Sequence, residues 1–221
     1  MADPNPWEKC LASRPRIEGS SKPKRKDPFT IAELQAIFVA FSTHKYYKCY
    51  LDFVIFLVNT GCRPGEAAGL RWKHITPDFA TAEIVASISR GIQKGTKTEQ
   101  ERIVKPPATI REMLAARFAC LNPQPDDLVF PAPRGGAIDD HNFCNRIWGS
   151  ILSSCNVRYR PPYNMRHSAI SHALHGGAKP IELAEQTGHD VQTMLKTYAH
   201  AIERECLFVD INADISGNAQ N

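Results

Sequence analysis

Thr60-Gly61-Cys62-Arg63-Pro64-Gly65-Glu66-Ala67-Ala68-Gly69-Leu70 follows the most hydrophobic run of the chain. That run, Tyr46–Thr60, carries Leu51, Phe53, Val54, Phe56, Leu57 and Val58 on nearly every side, the pattern of a helix buried all round. Gly61 is suited to end it as a C-cap, and Pro64 to open the first turn of a short helix over Gly65–Leu70. Arg63 then stands at a helix N-terminus, where a cation opposes the macrodipole. Its apolar setting predicts partial burial, and a buried guanidinium needs an anionic partner. Glu66, three residues on, is one candidate; an anionic ligand is the other.

Upstream, Thr30-Ile31-Ala32-Glu33 is a capping box, and Leu34, Ile37, Phe38 and Phe41 follow at helical spacing. Before it, Arg14, Arg16, Lys22, Lys24, Arg25 and Lys26 face only Glu18, with Pro15, Gly19, Ser20, Ser21 and Pro23 interspersed. This predicts an extended basic linker. Downstream, helical periodicity stops at Lys73. β-prone pieces at His74–Thr76, Ala82–Ser89 and Arg102–Lys105, divided by Pro77-Asp78 and the polar stretch Gly91–Gln100, predict a small three-stranded antiparallel sheet. Helices are expected again at Ala108–Leu121, Asp140–Leu152, Met165–Leu174, Ile181–Thr187 and Val191–Ala199, with Leu128-Val129-Phe130 anchoring a loop over Pro123–Gly136. The class is therefore α+β, mainly α-helical, with one small antiparallel sheet.

Composition bounds the function broadly. The 221 residues are 43% hydrophobic and 23% charged, with a formal charge of +4. This suits a globular domain with a real core and permits, without requiring, a nucleic-acid partner. No apolar run reaches the length of a membrane span, so no membrane partner is expected. Seven cysteines without CxxC spacing predict free thiols in a reducing cytoplasm. His172 and His175 lack a carboxylate or cysteine at the right offset, and neither HExxH nor a glycine-rich phosphate loop occurs; no metal and no cofactor are expected.

Three further stretches carry polar residues in unusual places. Arg166 shares a helix face with Ile170 and Ala173, so a second arginine is aimed inward at a helix start. Two such arginines with few acidic partners favour an anion site, since guanidinium groups bind phosphate bidentately. Lys97 lies in Gly95-Thr96-Lys97-Thr98 on the expected turn between the second and third strands. His189 lies in Gly188-His189-Asp190, where Asp190 is a plausible N-cap. Val191, Met194, Leu195 and Tyr198 then form an apolar stripe, on which a tyrosine is ordinarily core with its hydroxyl at the rim.

In this order, TGCRPGEAAGL, GTKT, YNMRHSAISHAL and QTGHD followed nine residues later by Tyr198 resemble the tyrosine recombinases, the phage-integrase family, over about Phe29 to His200. The resemblance implies a catalytic domain over residues 29–200. It also implies a basic linker over 1–28 after an upstream DNA-clamping domain, and a tail over 201–221 whose run Cys206–Ile211 docks on a neighbouring subunit. It implies Arg63, Lys97, Arg166, His189 and Tyr198 as catalytic, with Glu66 supporting the first arginine's helix. Tyr198 would attack DNA to leave a 3′-phosphotyrosine. The expected partner is double-stranded DNA, held by a homo-tetramer that is a monomer in isolation, in a prokaryotic cytoplasm or nucleoid. A type IB topoisomerase shares this logic, and a DNA-binding protein with a decayed site is a third reading. One position departs: Tyr163 stands where the family commonly has histidine in His-x-x-Arg. A phenol, with its pKa near 10, is a poor base near neutrality. His167 is next to Arg166 but turned roughly 100° from it on a helix. Which group takes the proton from Tyr198 is left open.

Overall fold

Burial of the Leu51–Thr60 helix organises the rest of the chain. The computed structural model describes residues 27–89, 92–95 and 101–202. Helix α1 spans Ile31–Thr43 and opens on the expected capping box, with Thr30 and Glu33 satisfying each other's backbone donors. A 3-10 turn at Lys48–Tyr50 leads into α2, Leu51–Thr60. The helix expected from Tyr46 therefore starts five residues later, after a turn in which His44 Nδ1 accepts from the Tyr46 and Tyr47 amides. Phe53, Val54, Phe56 and Leu57 are buried, as the run's all-round hydrophobicity requires. Gly61 closes α2 in the left-handed region at φ 65°, and Pro64 is the first residue of α3, Pro64–Gly69.

The sheet is divided. Strand β1, Ala82–Ile84, pairs antiparallel with β4, Arg102–Val104, while β2, Ala86–Ser89, pairs antiparallel with β3, Ile92–Gly95. The expected first strand is reduced to a single bridge from Ile75 to Ala82, after a 3-10 turn at Trp72–His74. The expected long strand Ala82–Ser89 breaks at Val85, and its second half forms a hairpin with residues assigned from sequence to a polar turn. The packing of α3 explains the break. The backbone carbonyl of Ile88 lies where a side chain on Gly65 would fall, so β2 is drawn onto a glycine-lined helix and away from β4.

Helix α4 is Ala108–Leu121, with the bounds read from sequence. Helix α5 is composite: Asp140–Asn142, a π-helical stretch Phe143–Trp148 and Gly149–Ser154 follow one another without a break. The wide π turns seat Phe143, Ile147 and Trp148 together in the core, where Trp148 Nε1 donates to the Arg160 carbonyl at 2.7 Å. Helices α6, Asn164–His175, α7, Pro180–Thr187, and α8, Val191–Tyr198, complete the chain, followed by a 3-10 turn at Ala199–Ala201. No helix among the described residues is long and apolar enough to cross a membrane.

Two cores result. The larger gathers α1 to α5, strands β1 and β4, and Met165. The smaller holds Ile170, Leu174, Ala184, Met194, Tyr198 and Ala201. Helix α6 separates them and is buried along most of its first two turns, at Met165, Arg166, His167 and Ser168. Residues ahead of α1 are tied to it: Phe29 N donates to Ser168 Oγ at 2.7 Å, and Asn164 Nδ2 donates to the Asp27 carbonyl at 2.8 Å.

Two glycines test this packing with opposite signs. A methyl group on Gly65 would fall 2.5 Å from the Ile88 carbonyl oxygen, so Gly65→Ala is expected to destabilise the protein by about 1–3 kcal/mol. One on Gly149, inside α5, would meet nothing within 4 Å, so Gly149→Ala is expected to stabilise it by about 0.4–1 kcal/mol. Urea denaturation of the two variants measures both.

Candidate active site

Glu66 is the first fixed point. At the third position of α3 it reaches back, and its Oε2 accepts from the Arg63 amide at 2.8 Å while its Oε1 accepts from Arg63 Nη1 at 2.7 Å. Its carboxylate is only 2% exposed and takes a second cation from β4. Arg102 Nη1 donates to Oε1 at 3.0 Å, and Nη2 donates to Oε2. Arg102 Nε donates to the Gln186 carbonyl at 2.9 Å, joining the sheet to the end of α7. The carboxylate therefore sits between two guanidinium groups. Burial pushes its pKa up, and Arg102 and Arg63 more than reverse this, holding it below its ordinary 4.5. Burial also disfavours charge on Arg63, but Glu66 and the nearby Tyr163 phenol outweigh it and keep Arg63 charged.

Sequence reasoning missed Arg102. In Arg102-Ile103-Val104 the apolar Ile103 is the natural inward residue. The pairing of Ile84 with Arg102 and Ala82 with Val104 turns it outward instead, to 55% exposure, and turns Arg102 in. The available signal was two cations, Arg63 and Arg102, for one deeply placed acid.

Arg166 is 1% exposed and bonds to no carboxylate among the described residues. Its Nη1 donates to the Gly61 carbonyl at 2.6 Å and its Nη2 to the Thr187 carbonyl at 2.5 Å. These oxygens belong to the C-terminal ends of α2 and α7, where the helix dipoles favour a cation. Burial, with Arg63 nearby, lowers the Arg166 pKa. Its Nε is buried without a hydrogen-bond partner, so one donor is unspent.

His189 follows Gly188, the left-handed C-cap of α7, and precedes Asp190, whose side chain caps α8 through the Thr193 amide at 2.8 Å, as expected from sequence. Arg166 Nη2 is 2.9 Å from His189 Nδ1. An arginine can only donate, so Nδ1 must be the bare nitrogen and the ring proton must sit on Nε2. Burial, then the charge of Arg166, pushes the His189 pKa down to about 3. The ring is therefore neutral near pH 7 and offers one N–H donor.

Tyr198 closes the group. It is 0% exposed, so its hydroxyl is inside the protein and not at the rim. The oxygen lies 2.5 Å from His167 Nδ1, and the ring meets His189 edge-on at 6.2 Å between centroids. Burial pushes the phenol up to about 12, against the opposing charge of Arg166. Tyr163 stands at the entry to α6, 38% exposed, with its ring edge-on to His167 at 5.1 Å. A cleft of about 390 Å³ opens beside Tyr163 and Arg63, walled by Phe53, Ile88, Ile138 and Phe143.

Arg166, His167, His189 and Tyr198 thus form one connected group, and Arg63 with Glu66 forms a second within electrostatic reach of it. Lys97 lies outside the described residues, as do the basic segment 14–26 and the run Cys206–Ile211. Among the described residues no three His, Cys, Asp or Glu side chains are grouped to hold a metal, and His172 Nε2 lies 2.8 Å from the Phe29 carbonyl instead. Chemically, the site offers two arginines and a neutral histidine donor for an anion, and a phenol paired with an imidazole.

Known proteins share the sequence pattern and the fold of this chain. The phage integrase family model matches residues 28–205. Tyrosine recombinase XerC of Corynebacterium efficiens is 26% identical over 193 residues, 85% of this chain and 59% of that protein. Tyrosine recombinase XerC of Serratia marcescens is 27% identical over 146 residues, 65% of this chain and 45% of that protein. The chain therefore spans less than two thirds of either relative. Among solved structures, the Tn1549 transposon integrase in complex with transposon right end DNA shares the fold at TM-score 0.71 and 17% identity, over 90% of this chain and 68% of that one. XerA recombinase does so at TM-score 0.63 and 18% identity, over 88% of this chain and 65% of that one.

Removing the Glu66 carboxylate strands the buried Arg102 cation, so Glu66→Ala is expected to cost about 3–5 kcal/mol in denaturant unfolding. The pH dependence has a definite sign. A carboxyl whose folded pKa is depressed stabilises fully above its unfolded value, and that contribution is lost as pH falls below about 4.5 toward the folded value. Glu66→Ala should lose this part of the acid transition; an acid limb as steep as that of the unsubstituted protein would contradict the arrangement.

Proposed function

The chain belongs to the phage integrase family, and on that premise we propose that it is the catalytic domain of a site-specific DNA recombinase. Tyr198 Oη attacks a backbone phosphorus of double-stranded DNA, forming a 3′-phosphotyrosine and releasing a 5′ hydroxyl. The connected group of Arg166, His189 and Tyr198 carries this reading. Arg63 and Arg166 clamp the non-bridging oxygens as charge gathers there, and the His189 Nε2 proton adds a further donor. Lys97 protonates the departing 5′ oxygen. The phosphotyrosine keeps the energy of the broken bond, so rejoining to a partner strand needs no nucleotide hydrolysis.

The relatives favour recombination over relaxation: those compared above are named recombinases or integrases. The Tn1549 integrase was solved with DNA, which supports DNA as the partner of this chain. Strand exchange needs two duplexes and therefore several active sites, so the working assembly we propose is a tetramer on DNA, formed from monomers in a prokaryotic cytoplasm or nucleoid. Residues 29–200 supply the chemistry, residues 1–28 a basic linker, and residues 201–221 the contact to a neighbouring copy. Because Tyr198 is fully buried, the segment carrying it must shift for a phosphate to reach its oxygen.

The test is covalent trapping. Nicked suicide duplexes with a randomised core are incubated with the chain, and a denaturation-resistant protein–DNA adduct is expected. Tyr198→Phe should abolish the adduct while leaving DNA binding within about twofold, and that binding should weaken steeply with added salt. An adduct of undiminished yield in Tyr198→Phe would remove the nucleophile assignment. No adduct from the unsubstituted chain on any duplex, with DNA bound, would favour a decayed site.

A further inference from the structure

We propose that His167 is the group that takes the proton from Tyr198 as its oxygen attacks, and that returns it when the strand is rejoined. This rests on the recombinase reading above and goes beyond it, since the resemblance expects a histidine where Tyr163 stands, four residues earlier, and so leaves that proton without an acceptor.

The geometry is direct. His167 Nδ1 is 2.5 Å from Tyr198 Oη, within the reach expected of a general base. The rings are tilted by 47° with centroids 6.0 Å apart, so the contact is made nitrogen to oxygen and not by stacking. Both side chains are enclosed, His167 at 7% and Tyr198 at 0% exposure. Bulk water is therefore a poor competitor for the proton. Among the described residues no hydrogen bond joins Tyr163 to Tyr198; Tyr163 sits 38% exposed at the mouth of the cleft beside Arg63.

Residues one apart on a helix diverge by roughly 100°, which would normally send His167 to solvent if Arg166 faces the core. Here α6 lies between two cores, so both directions lead inward. Arg166 points toward the ends of α2 and α7, and His167 points toward the end of α8. One dipeptide thereby serves both parts of the reaction: Arg166 for the phosphate oxygens and His167 for the attacking oxygen.

The step balances. The Tyr198 O–H bond breaks as the O–P bond forms, and the proton passes to the Nδ1 lone pair, giving an imidazolium. The P–O5′ bond breaks and its oxygen takes a proton from Lys97. Rejoining reverses each transfer. The mechanism requires His167 to begin with Nδ1 bare and its ring proton on Nε2.

His167→Asn is the informative variant, because its amide oxygen can still accept the tyrosine hydrogen bond but cannot carry the proton away. Single-turnover cleavage of a trapped suicide duplex should fall about 100-fold or more, with DNA binding and Tm near those of the unsubstituted chain. A substrate with a 5′-bridging sulfur separates the two ends of the reaction. It should largely restore Lys97→Ala, since a thiolate leaves unprotonated, and should leave the His167→Asn defect in place. Cleavage by His167→Asn within threefold of the unsubstituted rate, or faster, would overturn the proposal in favour of a positioning or restraining contact. Restoration of His167→Asn by the sulfur substrate would overturn it as well. Should that variant fail to fold, ¹⁵N spectra of the imidazole in the unsubstituted chain decide the matter: a proton on His167 Nδ1 at neutral pH excludes the base, and a bare Nδ1 supports it. The spectra need no DNA, so they stand even if no adduct forms and the recombinase reading itself fails.

Discussion

A guanidinium that no carboxylate among the described residues meets, enclosed between two hydrophobic cores, is the constraint around which this domain is arranged. Arg166 is nearly inaccessible, and its charge is met by the Gly61 and Thr187 carbonyls. Each carbonyl lies at the C-terminal end of a helix, where unsatisfied oxygens and the helix dipole supply partial negative charge. Both helices end in Thr-Gly, with Gly61 and Gly188 in the left-handed region. That conformation stops each helix at the right residue and leaves its last carbonyls pointing toward α6. Two copies of one local device, far apart in sequence, thus build the cradle for one charge.

Glu66 performs the complementary task for the other arginine. A buried carboxylate is costly unless several donors surround it, and here Arg63 and Arg102 both contribute. The carboxylate holds Arg63 against the start of α3 while drawing β4 and, through Gln186, α7 into place. With the arginines fixed this way, their charges act on the rest of the group. They reinforce the burial that keeps His189 neutral, while Arg166 opposes the burial that keeps Tyr198 protonated. Tyr198, the nucleophile of the proposed reaction, is thus a phenol holding its proton firmly, and a base beside it would have a definite chemical purpose.

Much of this was legible in the residues because it is local. The Thr30 capping box, the Gly61 cap, the Pro64 start, the bounds of α4 and the Asp190 cap each depend on a few neighbours, and each appears as read. The inward aim of Arg166 was legible from its shared stripe with Ile170. The strands were less so. Their register depends on pairing partners some twenty residues away, and a shift of one residue exchanges the faces. This is how Ile103 came to face solvent and Arg102 the core, and why a stretch read as one strand is two, belonging to different pairs.

The residues alone were enough for most helix caps, for the inward aim of Arg166 and for the order of motifs that marks the family. Those properties follow from capping, periodicity and the cost of burying charge, all of which act over a handful of residues. Which groups meet depends on packing between distant parts of the chain. That packing set Arg102 on Glu66 through strand register, enclosed Tyr198 completely in a second small core, and brought His167 rather than Tyr163 to its hydroxyl. The physical reason is that α6 has a core on either side. A residue's direction on that helix says only that it points inward, and what it finds there is set by helices packed from distant parts of the chain.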